Sequence, residues 1–167
     1  MIYLFAFLFI LILVGCFIWR RGKKPYKHRD ISQDHLKQFL EVLLFRGYEG
    51  GFLCIEIPDD HRFLQFSKYV AGKDSVGLQF DFPLAAWSRA YFEPLKRILN
   101  EERIKFEIQK TVRKAVPEFL LVDVEQDLEL ALRLAKLTLQ SVYGLDESQH
   151  VDLYFENVNP RDEKIGF

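Results

Sequence analysis

Two consecutive carboxylates adjoin an imidazole at one place in this chain, Asp59-Asp60-His61. That residue set can hold a cation or orient a general base. Consecutive residues in a turn converge poorly on one point, however, and Pro58-Asp59-Asp60 is ordinary turn chemistry. The other histidines, His28, His35 and His150, are not paired at metal-ligand spacing, which argues against zinc. His35 and His150 are expected to be exposed. Ser67, Ser88 and Ser141 lack the glycine-flanked elbow of a serine nucleophile. Gly47, Gly50 and Gly51 do not form a phosphate-binding loop. Cys16 and Cys54 make neither a disulfide framework nor a metal site. Cys54 reads as a buried free thiol, as suits a reducing compartment. No catalytic, cofactor-binding or metal-binding residue is assigned, and the chain reads as non-enzymatic.

The aromatic residues are the better candidates for recognition. Bases and aromatics alternate at Arg62-Phe63, Lys68-Tyr69 and Arg89 to Tyr91, a pattern that single-stranded nucleic acid can use. A net charge of −1 leaves no excess of base to support it, so nucleic acid is excluded as a partner. Most aromatics are expected to fill a core. The expected protein contacts are Phe63, Phe66 and Tyr69 on one strand, Tyr154 on the last strand, and Lys37 and Glu41 on the first helix. A homodimer would use Trp87 and Tyr91, because aromatic anchors dominate such interfaces.

The periodicity that must position these residues is clear. Leu36, Phe39, Leu40, Leu43 and Leu44 make one apolar helical face behind an Asp30 or Ser32 cap. Residues 52–57, 62–70 and 75–82 alternate as strands, the last two as a hairpin around 71–74. Pro83 suits a second helix start, and Pro94 predicts a kink or break near 90–94. Residues 104–111 and 119–124 read as strands, the second central because it is apolar on both faces. Asp127 caps a third helix that Gly144 stops. Residues 150–156 alternate as a final edge strand. The order is α-β-β-β-α-β-β-α plus that strand, an α+β two-layer sandwich with an antiparallel sheet.

Ahead of this lies an uncharged run from Ile2 to Trp19, followed by Arg20, Arg21, Lys23 and Lys24. As a helix the run spans about 27 Å, close to a hydrocarbon core. It predicts a single transmembrane helix, with residues 1–21 as anchor and 22–29 as a basic linker. Residues 30–156 are then a soluble domain and 157–167 a polar tail. The four bases would meet anionic lipid headgroups and place the domain in the cytoplasm, at the inner membrane. Leu13-Val14-Gly15-Cys16 offers an alternative, a lipoprotein acylated at Cys16. The absent basic n-region and the apolar Phe17-Ile18-Trp19 count against that alternative.

The element order from Asp30 to Gly144, with its first amphipathic helix and the final LELALRLAKLTLQSVYGL pattern, resembles the type III secretion chaperone-like superfamily. The resemblance implies a non-enzymatic, often dimeric module that binds other polypeptides. It lacks a diagnostic motif, and the near-neutral charge departs from the acidic secretion chaperones. The expected function is a membrane-anchored protein-binding module, chaperone- or adaptor-like, with an unidentified protein partner. The alternatives are a toxin-neutralising immunity protein, or an unrecognised enzyme with a polar cleft around Asp59 to His61.

Overall fold

A computed structural model describes residues 26–71, 75–110 and 118–159. It is an α+β domain built on a seven-stranded sheet in the order β1-β7-β2-β3-β4-β6-β5, antiparallel throughout. The strands are β1 (Tyr26–Ile31), β2 (Gly47–Glu56), β3 (Phe63–Ala71), β4 (Ser75–Leu84), β5 (Glu107–Gln109), β6 (Glu118–Glu125) and β7 (Val151–Val158). The helices are α1 (Leu36–Arg46), α2 (Arg89–Glu101) and α3 (Leu128–Lys136), and α3 runs on into a π-helical turn, Leu137–Val142. All three helices pack on one face of the sheet. Their buried residues join Leu53, Ile55, Leu64, Phe66, Leu78, Phe80 and Phe82 in a single core.

The periodicity explains each helix. All five apolar residues of the α1 stripe are buried. Ser32 accepts from the Asp34 amide at the 3-10 turn that leads into α1. At the other end of α1, Lys68 reaches across from β3, and its Nζ donates to the Leu44 carbonyl at 2.5 Å. A buried ammonium therefore sits where the helix dipole is negative. Asp127 caps α3 by accepting from the Leu130 amide at 2.9 Å. Within the following turn, Thr138 Oγ1 donates to the Leu134 carbonyl at 2.8 Å, and the Tyr143 amide reaches the Thr138 carbonyl, five residues back. Gly144 stops the segment with φ +75°, a conformation open to glycine at no steric cost.

The expected architecture is corrected at several points. Among the described residues no helix is long and apolar enough to cross a membrane. The anchor expected over 1–21, with Cys16, Arg20 and Arg21, and the linker bases Lys23 and Lys24 lie outside the described residues. The described residues open on a strand rather than a helix, because residues 26–31, read in part as linker, pair with β7. The final strand is not an edge: β7 lies between β1 and β2. Pro83 belongs to β4 instead of starting a helix. Trp87 precedes α2, in a turn where Ser88 Oγ accepts from the Ala85 amide and donates to the Pro83 carbonyl. α2 continues through Pro94 without a break. Of the described residues 104–110 only Glu107–Gln109 form a strand, and residue 111 lies outside the described residues.

Candidate functional site

The Asp59-Asp60-His61 turn is held by its neighbour. Arg62 Nε donates to Asp60 Oδ2 at 2.7 Å, and Arg62 Nη1 to the Tyr143 carbonyl at 2.7 Å. The guanidinium lies 5.8 Å from the Tyr91 ring centroid and 5.5 Å from that of Tyr143. Desolvation pushes the Asp60 carboxyl up, but the hydrogen bonds and charge of Arg62 outweigh it and leave the group below the ordinary carboxylate value. The carboxylate is thus spent on orienting an arginine, while Asp59 and His61 are exposed. Among the described residues no group of three or more His, Cys, Asp or Glu is placed to hold a metal ion. His28 packs on the rings of Phe39 and Phe155, and burial holds its pKa down. His35 is exposed, and His150 Nδ1 pairs with Asp30 Oδ1 at 2.7 Å. Ser88 is buried in the turn before α2, and Ser141 is exposed on the π-helical turn.

The expected contact residues divide among four places. Phe66 is fully buried in the core, so it presents no surface to a partner. Phe63 and Trp87 meet at one end of the sheet with ring centroids 4.8 Å apart and planes tilted by 38°. There Tyr91 meets Tyr143 edge-on at 5.1 Å beside Arg62. Tyr69 folds over Gly77, where a Cβ would overlap its ring, and its Oη donates to Asp123 Oδ1 at 2.7 Å. Burial, then this hydrogen bond, pushes the Tyr69 phenol up to about 12. Tyr154 lies against Phe52 at 5.9 Å. On α1, Lys37 pairs with Glu129 of α3.

Tyr69 and Tyr154 share a surface that the sequence reading missed, the sheet face turned away from the helices. The register aligns Lys27, Tyr154, Cys54, Gln65, Asp81 and Leu121 as one row across β1, β7, β2, β3, β4 and β6. A neighbouring row aligns Glu156, Phe52, Ser67, Gln79 and Asp123. Cys54 and Leu121 are shielded by their neighbours on this face, yet neither is part of the core. Burial pushes the Cys54 thiol up to about 12, so it stays protonated at neutral pH. Asp81 is only 7 % exposed and accepts from Gln65 Nε2 at 3.3 Å. Burial raises its pKa against the pull of Ser67 and Gln65. On the five inner strands the charged side chains of this face are Glu56, Asp81, Asp123, Asp152 and Glu156, all carboxylates. Each sits at a polar position in an alternating segment, and that signal was legible. Their alignment depends on the strand order, which was not.

The sheet edges differ from this face in kind. β1 carries a register irregularity between His28 and Ile31, with Asp30 at φ +60°. β5 is only three residues long. Bulged and very short edges resist the addition of another strand. What the arrangement offers is a broad face of half-buried rings, amides and carboxylates, with its edges blunted. No protein family, no curated protein and no solved structure matches this chain.

Proposed function

We propose that this domain is a non-enzymatic protein-binding module, chaperone- or adaptor-like, which takes up a polypeptide on the sheet face opposite its helices. The observation that carries the reading is that face itself. Phe52 and Tyr154 form a half-buried aromatic pair set among Cys54, Gln65 and carboxylates, with the core lying entirely on the other side. Paired rings surrounded by polar groups are the usual composition of a binding hot spot and its rim. Docking on the face is favoured over strand addition because the described edges are bulged or short. The resemblance to secretion chaperone-like domains points the same way. The uncharged run at residues 2–19 and the bases after it support location at the inner membrane with the domain in the cytoplasm.

The test is a pull-down of the full chain from detergent-solubilised native membranes, compared with a Phe52→Ala/Tyr154→Ala variant shown to be folded by circular dichroism. A stoichiometric protein partner retained by the parent and lost by the variant is the expected result. A partner held equally by both would move the site elsewhere, and the Phe63, Trp87 and Tyr91 end would be next. The partner's nature separates an adaptor from an immunity protein, since only the latter would hold a toxin. The enzyme alternative would need the Asp60 carboxylate, now hydrogen-bonded to Arg62, as a base, and an Asp60→Asn variant would test it.

A further inference from the structure

The two sides of this domain handle charge differently. In the helical layer, most carboxylates meet bases of the same chain: Glu129 with Lys37, Glu93 with Lys96, Glu102 with Arg133, and Glu147 with Lys136, while Glu41 on α1 makes no ion pair among the described residues. On the open sheet face, Asp123 and Glu156 have no ion-pair partner among the described residues. Their contacts there are with the Tyr69 and Tyr154 hydroxyls and the Glu125 amide. The same face already seats one ammonium. Lys27 Nζ lies 3.3 Å from Glu56 and 3.4 Å from Asp152, beside Tyr154 in the register. Desolvation lowers the Lys27 pKa, but the two carboxylates more than reverse it, so the pocket favours the charged form.

We infer that the segment bound on this face is cationic: a stretch of a partner protein in which lysine or arginine alternates with apolar residues. This deepens the reading of the open face as the binding surface, and it rests on that reading. The apolar residues would pack on the Phe52–Tyr154 pair. The bases would repeat what Lys27 does, pairing with Glu156 and Asp123 while the ring faces take part of the charge. An extended segment laid across the strands suits the surface, because Glu156 adjoins the Phe52 ring at one end of a register row and Asp123 closes the same row four strands away.

The probe is a short labelled peptide alternating lysine and leucine, with a glutamate-for-lysine counterpart as control. Both are titrated against the full chain in a nonionic detergent and followed by fluorescence anisotropy. Saturable binding of the lysine peptide alone is expected. It should weaken about tenfold in an Asp123→Asn/Glu156→Gln variant, the sum of two modest ion pairs. A Glu93→Gln/Glu101→Gln variant of the helical layer should leave it within about twofold. Equal weakening by both variants would reduce the effect to unspecific attraction and overturn the inference. So would binding that emerges only once Arg20, Arg21, Lys23 and Lys24 are changed to Gln, since the occupant would then be this chain's own basic stretch. If neither peptide binds while the pull-down partner is still lost on Phe52→Ala/Tyr154→Ala, the cationic inference fails and the binding face stands. Loss of neither would remove both.

Discussion

Gly77 and Tyr69 face each other in adjacent strands, and the ring occupies the space a Cβ would need. Gly77→Ala is therefore expected to push the ring aside and break its hydrogen bond to Asp123, at a cost of about 1 kcal/mol. In a Tyr69→Ala background the same substitution should cost less, a coupling that urea titration of the four proteins would reveal. Asp81 makes the opposite kind of prediction. Its pKa is raised in the fold, so ionised Asp81 burdens the folded state at neutral pH, and the burden fades as pH falls through the raised value toward 3.8. Asp81→Asn keeps an acceptor for Gln65, and it should melt higher than the parent at pH 7, with the difference closing in acid. Neither residue stood out in the sequence. A glycine and an aspartate at alternating strand positions look ordinary until the register sets an aromatic ring over one and buries the other. Phe66 is the converse case. Chain neighbours Phe63 and Tyr69 reach the surface, while strand parity sends Phe66 into the core.

At the level of elements, local signals worked where one segment carries the whole message. The α1 stripe, the Asp127 cap and the Gly144 stop are all as expected, since each depends on residues within a turn or two. The misread elements depend on distant partners. Residues 26–31 show no strand periodicity, and they form β1 because β7 offers them an edge. Gln33 shows how such long connections are secured. Fully buried, its Nε2 donates to the carbonyls of Asp146 and Gln149, both at 2.9 Å, and its Oε1 accepts from Gln140. This one side chain fastens the approach to α1 to the loop before β7. Gln33→Leu would leave those groups without their partner, and a loss of about 2–4 kcal/mol is expected in chemical denaturation. Asp127→Ala removes a single exposed cap and should cost about 1 kcal/mol in the same assay.

Over the whole molecule, strand position sets a gradient of local stability. β7 and β2 are flanked by strands on both sides and back onto the core, whereas β5 is three residues at an edge. Hydrogen exchange should be slowest in the amides of β2 and β7 and fastest in β5. Equal protection throughout would contradict this order. The α+β class was readable from the mixture of periods, and the open face was not, because it exists only once the strands are ordered. That order also has a bearing on synthesis. β7 is the last of the described strands to be made, yet it is inserted between the first two of them. Until residues 151–158 leave the ribosome, β1 has no partner and β2 carries a bare edge. The sheet cannot be completed progressively from the N-terminus, and the nascent domain must wait for its final strand with that edge open to wrong pairings.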